Sequence, residues 1–251
     1  MKIDRIVNEN IKKHFNDYAR SHRWQDYYDK GLNSSNCNFY LRLEAFKKIV
    51  RDMSPKKVID LGCGSGDFLS FFIYRDTYYH GVDFSHEMVK AVKKKIEEMP
   101  ESIRHRFSCK QEDFITMEIA EKYDFLLASG FLEYFDGLKM VVKKMHDLTE
   151  TNGYVLVQIP NVEYYRWRNK KQAVDPDKQF THNRITKDEC DRLFREEGFR
   201  LIKGYFVNHT YFPYLRMFPY VHVFLNRILS TITPEVYSRL YASMYLGVYQ
   251  K

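Results

Sequence analysis

The chain has 251 residues, of which 44% are hydrophobic and 29% are charged, and this composition is typical of a globular protein with a buried core. Its length accommodates one complete α/β domain with additional helices but is short for two full domains. The net charge of +7 comes from a mild excess of basic residues interleaved with acidic and apolar ones, which is typical of solvated helix faces. An anionic substrate and a negatively charged membrane surface stay open, because the charge alone does not decide between them.

The four cysteines are far apart in the sequence and form no C-x-x-C pair, which argues against a structural zinc site and against a disulfide framework. The first residues lack the apolar core of a signal peptide, and no run approaches the roughly 20 apolar residues that cross a bilayer. We therefore expect a cytoplasmic protein without a metal site, either soluble or at most peripheral to a membrane.

Residues 3–53 carry apolar side chains at three- and four-residue steps, a spacing typical of amphipathic helices. Ser54-Pro55 ends the last of these helices, because the residue before a proline avoids helical backbone angles. We predict that residues 1–53 form a helical cap or lid and that residues 54–251 form the main domain.

From residue 54 the chain alternates short apolar runs with helical patterns, which is typical of βαβ units and a mainly parallel sheet. The predicted strands are Val58–Leu61, Tyr79–Asp83, Arg106–Cys109, Tyr123–Ser129, Gly153–Ile159, Phe199–Val207 and Met244–Gln250. The predicted helices are Asp67–Tyr74, His86–Glu98, Leu138–Leu148 and Thr186–Glu197, the last with a capping box of Thr186 and Glu189.

An aromatic-rich segment within residues 208–243 interrupts this pattern before the last strand. It includes a predicted helix over Pro213–Ser230. Three interpretations stay open: a helix packed on the sheet edge, a lid over an aromatic or lipid acceptor, and contact with a membrane surface. If the segment walls the acceptor, Tyr211 and Phe212 are the expected contacts.

Three glycines, Gly62, Gly64 and Gly66, lie in the turn after the first predicted strand, where they permit a sharp bend and a close ligand approach. A dinucleotide fingerprint would place its third glycine at position 67, which is Asp67 here. Because an acidic side chain beside a helix start repels a pyrophosphate, the spacing disfavours an NAD(P)-binding oxidoreductase.

Two acidic residues end successive predicted strands. Asp60 suits a ligand that carries positively charged groups, and Asp83 can accept hydrogen bonds from both hydroxyls of a ribose. The alternatives are a strand-end cap for Asp60 and a helix cap for Asp83. Their joint placement favours a ligand site over coincidence.

These motifs, with Gly81–Ser85, Gln111–Phe114 and Tyr123–Phe135, resemble the class I S-adenosylmethionine (SAM)-dependent methyltransferases over about residues 40–205. Within that family, the chain is similar to small-molecule methyltransferases of the ubiquinone and porphyrin O-methyltransferase type. The resemblance implies an α/β Rossmann-like sheet of seven strands in the order 3-2-1-4-5-7-6. It also implies helices on both faces and an antiparallel last strand.

The resemblance further implies a SAM site. Asp60 and the turn residues would surround the methionine part, Asp83 would hold the ribose, and the backbone of Ser129 would lie near the methionine end. Arg42 would pair with the SAM carboxylate. The alternative is that Arg42 is an ordinary charged residue on the surface. The implied cofactor residues are Arg42, Asp60, Gly62, Cys63, Gly64, Gly66, Asp83, Phe84, Met88, Glu112, Asp113, Phe114 and Ser129.

No catalytic base stands out in the sequence. Many members of the family carry a histidine at the position of Tyr134, which is here an expected substrate contact. His182 and His209 are weak candidates for a base, and a surface or packing role is favoured for each. A base is needed only if the acceptor must lose a proton, so a methyltransferase and a catalytically silent SAM-binding or assembly protein both stay open.

The segment Ala128-Ser129-Gly130-Phe131 replaces the [D/N/S]-P-P-[Y/F/W] turn of enzymes that methylate bases of nucleic acids, so we disfavour a nucleic-acid substrate. The expected function is transfer of a methyl group from SAM to an oxygen or nitrogen atom of a small-molecule, lipid-like or sugar acceptor. The sequence predicts no oligomeric state.

Overall fold

The structure, a computed structural model, describes residues 2–21, 31–168, 185–211 and 213–251. One seven-stranded sheet has the order β3-β2-β1-β4-β5-β7-β6. Strands β1 to β5 pair in parallel, and β7 is antiparallel to both of its neighbours, which confirms the expected topology. The strands are β1 Lys57–Leu61, β2 Tyr78–Asp83, β3 Phe107–Gln111, β4 Tyr123–Ser129, β5 Thr149–Pro160, β6 Arg200–His209 and β7 Ala242–Gln250.

Helices lie before the sheet, between its strands and in the late insertion. They are α1 Lys2–Arg20, α2 Cys37–Met53, α3 His86–Glu97, α4 Glu101–Arg104, α5 Leu138–Leu148, α6 Val162–Arg168, α7 Lys187–Glu196, α8 Pro219–Ile232 and α9 Glu235–Tyr241. Short 3₁₀ turns occur at Leu69–Phe71, Leu132–Tyr134 and Pro213–Met217.

Helices cover both faces of the sheet, because successive strand residues point to opposite sides. Val58 of β1 belongs to one core layer with Phe46 and Val50 of α2, whereas Ile59 belongs to the other layer with Val142 of α5. All five side chains are almost completely buried. Burial of each such side chain stabilises the fold by roughly 1.5–3 kcal/mol.

The helix predicted over Asp67–Tyr74 is wrong, since only a 3₁₀ turn forms there. Hydrogen bonds span three residues, from the Phe72 N–H to the Leu69 carbonyl and from the Leu69 N–H to the Gly66 carbonyl. The aromatic ring of Phe68 stacks on Phe46 with centroids 4.5 Å apart. Aromatic residues have modest helix propensity, and their burial against the sheet fixes this segment in the tighter turn.

One other difference from the expected elements concerns the segment after β5, for which we predicted no helix. Helix α6 forms there, and Asn161 just before it donates hydrogen bonds from Nδ2 to the carbonyls of Arg239 and Ala242 at 2.8 and 2.7 Å. Residues 169–184 lie outside the described part of the chain. The capping box of Thr186 and Glu189 is confirmed at the start of α7.

Helices α8 and α9 form the insertion between β6 and β7. Buried polar side chains fasten α8 to the edge of the sheet: the His222 ring hydrogen-bonds to Asn208 Oδ1 at 3.0 Å, and Asn208 Nδ2 donates to Ser243 Oγ at 2.6 Å. Asn226, one turn after His222, donates to the carbonyl of His209 at 3.1 Å. The inner face of α8 is therefore largely polar, with Val223 as its buried apolar residue, and it packs on the edge of the sheet.

Candidate functional site

A cavity of about 390 Å³ opens at the carboxyl ends of four neighbouring strands. Gly62 follows β1, Asp83 ends β2, Ser129 ends β4 and Gln158 lies near the end of β5, and all four line the cavity. Open parallel sheets bind ligands at this edge, and the volume lies in the range of small-molecule sites. The cavity is therefore the candidate functional site.

The glycine turn forms one wall of this cavity. Gly62, Gly64 and Gly66 have φ angles of 67°, 53° and 77°, a left-handed conformation that residues with a Cβ adopt only at a cost. Gly62 and Gly64 line the cavity. Gly66 instead packs against α3, where an added Cβ would lie 3.1 Å from a methyl group of Val92.

Asp83 connects this turn to the second strand. Its Oδ2 accepts a hydrogen bond from the Gly64 N–H at 2.9 Å, and its Oδ1 accepts one from the Ser85 N–H at 2.8 Å. Burial raises the pKa of the Asp83 carboxyl to about 6, although both backbone hydrogen bonds lower it. Each carboxylate oxygen keeps a lone pair for a ligand hydroxyl.

Asp60 does not line the cavity, in contrast to Asp83. It is buried in the core, where the Tyr79 hydroxyl donates a hydrogen bond of 2.7 Å to its Oδ2. Burial raises the pKa of the Asp60 carboxyl to about 7, the Tyr79 hydrogen bond lowers it, and the charges of Asp67 and Asp83 raise it further. The carboxyl thus lies behind the turn, bound to Tyr79.

Beside Asp83, the cavity has a mixed apolar and acidic wall. Phe84 and Met88 come from the end of β2 and the start of α3, and the Phe114 ring meets the Phe131 ring edge to face at a centroid distance of 5.3 Å. Five of the residues expected at the cofactor line this wall, namely Phe84, Met88, Glu112, Asp113 and Phe114.

The opposite end of the cavity is polar. Ser129 Oγ donates to Gln158 Oε1 at 3.0 Å, and Arg42 Nη1 donates to the same oxygen at 3.4 Å. Gly130 has a φ of 59°, and a Cβ there would have Glu133, Arg42 and Gln158 as its nearest neighbours, at 3.6 to 4.0 Å. Arg42 is therefore a cavity residue and not a plain surface charge.

Two of these polar residues, Gln158 and Glu133, were not predicted from the sequence. Gln158 had a signal, because it is the one polar residue in the apolar run Val155–Ile159 and lies near the carboxyl end of a strand. Glu133 lies in the short 3₁₀ turn Leu132–Tyr134, where no periodicity marks its direction. Both are largely buried and line the cavity.

Helix α1 closes one side of the cavity. Ile11 and Phe15 line it, and the Phe15 ring meets the rings of Phe84 and Tyr134 edge to face, with centroids 5.9 and 5.3 Å apart. One residue further along α1, Asn16 Oδ1 accepts a hydrogen bond from the hydroxyl of Ser85 at 2.7 Å. Ser85 is the N-cap of α3, so α1 is fixed to the element that follows Asp83.

Several predicted site residues are not cavity-lining. Cys63 is buried, with its Sγ 3.8 Å from the Sγ of Cys109. The Tyr211 ring packs against the Tyr241 ring at a tilt of 30°, with centroids 4.3 Å apart. Of the three expected substrate contacts, Tyr134 lines the cavity, whereas Phe212 lies outside the described residues.

Of the two histidines considered as bases, His209 lies within the described residues and does not line the cavity. His182 lies outside the described residues. His209 is buried, and its Nε2 is 3.0 Å from the hydroxyl of Ser238. Burial lowers the pKa of His209 to about 4, so its ring is neutral near pH 7 and belongs to the polar network under α8.

Comparison with known proteins identifies the family. A family model described as a methyltransferase domain matches residues 28–203, more than half of the chain. The malonyl-[acyl-carrier protein] O-methyltransferase of Legionella pneumophila is 24% identical over 159 residues, which are 62% of this chain and 50% of that protein. The chain thus matches half the length of this relative.

Solved structures share the fold at low sequence identity. Magnesium protoporphyrin IX methyltransferase from Synechocystis PCC 6803 has a TM-score of 0.68 at 12% identity, covering 97% of this chain and 99% of that one. The methyltransferase domain of bacterial CtHen1 has a TM-score of 0.60 at 22% identity, covering 84% of this chain and 98% of that one. Because the family match includes the strands and turn that form the cavity, the chain belongs to the class I SAM-dependent methyltransferases.

Proposed function

We propose that the protein binds SAM in the cavity and transfers its methyl group to an oxygen or nitrogen atom of a small, largely apolar acceptor. The observation that carries the proposal is the position of Asp83. Its carboxylate faces the cavity from the end of β2 while the backbone of the glycine turn holds it in place. A carboxylate held in this way can accept hydrogen bonds from both hydroxyls of a ribose.

The two ends of the cavity suit the two ends of SAM. Phe84 and Met88 offer an apolar surface next to Asp83, where an adenine would lie. Arg42 supplies a guanidinium at the other end, beside Gln158, where the carboxylate of the methionine part would lie. Gly62 and Gly64 leave room along the wall between these ends because they have no side chains.

The remaining wall favours an apolar acceptor. It is formed mainly by aromatic and aliphatic side chains from α1, α2 and the segments that follow β4 and β5, namely Ile11, Phe15, Phe39, Tyr134, Phe135 and Tyr165. Two relatives are described by name as acting on malonyl-[acyl-carrier protein] and on magnesium protoporphyrin IX. Those names support a non-nucleic-acid acceptor here without selecting one.

When bound, SAM supplies an electrophilic methyl group on its sulfonium. The chain's contribution is to align the acceptor with that methyl group and to keep water away from it. Phe15 and Tyr134 both line the cavity and their rings meet edge to face, so together they would keep water from this part of the wall. Glu133 lines the cavity near Gly130, so we propose it as the group that accepts a proton when the acceptor carries one.

The proposal is tested first by calorimetric titration of the protein with SAM, with S-adenosylhomocysteine and with NADH. We expect saturable binding of both adenosyl ligands and no heat from NADH. The same protein, incubated with methyl-labelled SAM and fractionated cell extract, should transfer label to an apolar small-molecule fraction.

Binding of NADH without a response to SAM would overturn the proposed cofactor. Binding of SAM without transfer to any fraction would overturn the proposed activity and leave a SAM-binding protein. The Glu133→Gln variant serves as the internal check, because it should lower transfer while the affinity for SAM stays within a few-fold of that of the unmodified protein.

A further inference from the structure

The outer face of α8 is an exposed apolar surface. Tyr220 and Phe224 are 72% and 59% exposed, and they lie one helical turn apart. Ile228 and Ile232 continue the same face at four-residue steps. With the preceding 3₁₀ segment, this surface comprises Tyr214, Met217, Phe218, Tyr220, Val221, Phe224, Ile228 and Ile232, which we call the insertion face.

The exposed apolar area of the insertion face is larger than that of isolated apolar residues on an ordinary protein surface. Each of its eight side chains is more than two-fifths exposed. Aromatic side chains alone carry roughly 150–250 Å² each, so together they exceed the few hundred Å² that a monomer usually exposes in one patch. An apolar surface of this size indicates a binding partner.

The orientation of α8 is the reverse of that of an ordinary surface helix. Its buried residues include His222 and Asn226, which hydrogen-bond to Asn208 and to the backbone of His209. Apart from Val223, which is buried in the core, its aromatic and aliphatic residues are at least partly exposed. Because the polar face is fixed in place by hydrogen bonds, the apolar face cannot turn inward without leaving those polar groups unpaired.

The charges around the insertion face are basic. Residues 198–234 contain no aspartate and no glutamate. Arg227 of α8 pairs with Glu44 of α2, and the exposed Lys47 and Lys48 follow Glu44 at three- and four-residue steps on α2. The apolar surface is thus flanked by cations whose natural counterpart is an anionic surface.

From this combination we infer that the insertion face docks on an anionic lipid bilayer. Helix α8 has 14 residues, about 21 Å, and is shorter than the roughly 30 Å of a bilayer core, so it would lie in the plane of the surface. Within the described part of the chain, no helix is long and apolar enough to cross a membrane. A second copy fits less well, since two such faces would bring like charges together.

Helix α2 relates the insertion face to the cavity. Phe39 and Arg42 of α2 line the cavity, and Glu44 of the same helix pairs with Arg227 of α8. A bilayer on the insertion face would therefore be separated from the cavity by α8 and α2. The inference itself rests on exposure and charge, and it holds whether or not the cavity performs methyl transfer.

The test is flotation of the full chain with vesicles of phosphatidylcholine, with or without phosphatidylglycerol. We expect the protein to float with the anionic vesicles, less so at high salt. The double substitution Tyr220→Ser with Phe224→Ser should reduce partitioning at least about tenfold, because two aromatic anchors are lost. The matched control is Tyr74→Ser, which removes an aromatic ring that is 96% exposed outside the insertion face and should float as before.

A second variant keeps the test valid if the double substitution disturbs folding. Lys47→Glu with Lys48→Glu should weaken flotation with anionic vesicles and leave the melting temperature within a few degrees of that of the unmodified protein. Failure of the unmodified protein to float, or flotation of both double variants equal to that of the unmodified protein, would overturn the inference. Sedimentation showing a dimer that becomes monomeric in the serine double variant would also overturn it, in favour of a second copy.

Discussion

The Asp83 carboxyl has two tasks, since it accepts hydrogen bonds from the backbone of Gly64 and Ser85 and also faces the cavity. Burial disfavours its charged form and raises its pKa to about 6. Only the ionised carboxylate can accept from both backbone donors and from two ribose hydroxyls together. Binding of a ribose should therefore be linked to the loss of a proton from Asp83.

We predict that the affinity for SAM rises with pH. The fraction of Asp83 that is ionised grows about tenfold between pH 5 and pH 7 when its pKa is about 6, and the association constant should follow it. Calorimetric titration at several pH values measures this directly.

The Asp83→Asn variant separates this effect from the titration of other groups. It should bind SAM more weakly at pH 7, because one amide end donates where the carboxylate accepted, and its affinity should change little between pH 5 and pH 7. Asp136→Asn, an exposed carboxylate close to the site in sequence, is the matched control and should keep the full pH dependence. A pH dependence that survives in the Asp83→Asn variant would contradict the proposed linkage.

Some residue-scale features of the site could not be predicted from the sequence. Cys63 and Cys109 are 46 positions apart, yet their sulfur atoms are 3.8 Å apart because β2 pairs with both β1 and β3. Asp60 was expected at the ligand, but the Tyr79 hydroxyl binds it in the core. Contacts of this kind depend on side-chain direction across three strands, and no local spacing encodes that.

At the scale of elements, α1 is the clearest case of a correct helix whose position was unknown. Its apolar periodicity predicts a helix, but periodicity does not say which surface the apolar stripe covers. In the structure α1 packs against α3 and brings Ile11 and Phe15 to the cavity. Since α2 belongs to the core of the sheet, we propose that the cap is limited to the segment before α2.

We predict that Phe15→Ala lowers the affinity for SAM by about threefold to tenfold. The ring contacts both Phe84 and Tyr134, and edge-to-face pairs contribute about 0.5–1.5 kcal/mol each beyond area burial. Phe84 would lose the neighbour that holds it against the adenine. Calorimetric titration with SAM measures the change.

Lys13→Ala is the matched control for this variant, since Lys13 lies on the exposed side of the same helix and should leave the affinity unaltered. Equal affinities of the two variants for SAM would show that α1 covers the cavity without supporting the ligand.

The bounds of an element were predicted most accurately where several local sequence signals coincide. Strand β4 and helix α5 have the predicted bounds because apolar periodicity and flanking turns coincide there. The helix prediction for Asp67–Tyr74 was wrong because the aromatic residues of this segment have a helical spacing and yet pack as a 3₁₀ turn against Phe46. Helix α6 was missed because its seven residues are fewer than two full helical turns of pattern.

At the scale of the whole molecule, the alternation of strands and helices predicts a parallel α/β sheet but not its order. The order and the antiparallel β7 came from the resemblance to a family and are confirmed. What the alternation does predict is the location of the site, since the carboxyl ends of β1, β2, β4 and β5 must share one edge. The polar network under α8 had no such signal, because it joins residues from β6, α8 and β7.

Global stability should depend on Asp60, a fully buried carboxyl whose pKa is raised from 3.8 to about 7. Between these two pH values the folded protein holds a proton on Asp60 that the unfolded chain releases. This contribution to stability is therefore complete below about pH 4 and is lost as the pH rises through 7. Relative to Asp60→Asn, which cannot titrate, the unmodified protein should lose up to about 4 kcal/mol of unfolding free energy over this range.

Urea unfolding at intervals from pH 4 to pH 8 tests this prediction. The Asp60→Asn variant should show the flatter profile between pH 4 and about pH 7, because its side chain does not titrate, and its amide oxygen can still accept the Tyr79 hydrogen bond. Asp76→Asn is the control: that side chain is 83% exposed, so its profile should run parallel to that of the unmodified protein. If the Asp60→Asn profile is parallel too, the carboxyl titrates alike in the folded and unfolded chain, and burial does not govern its protonation.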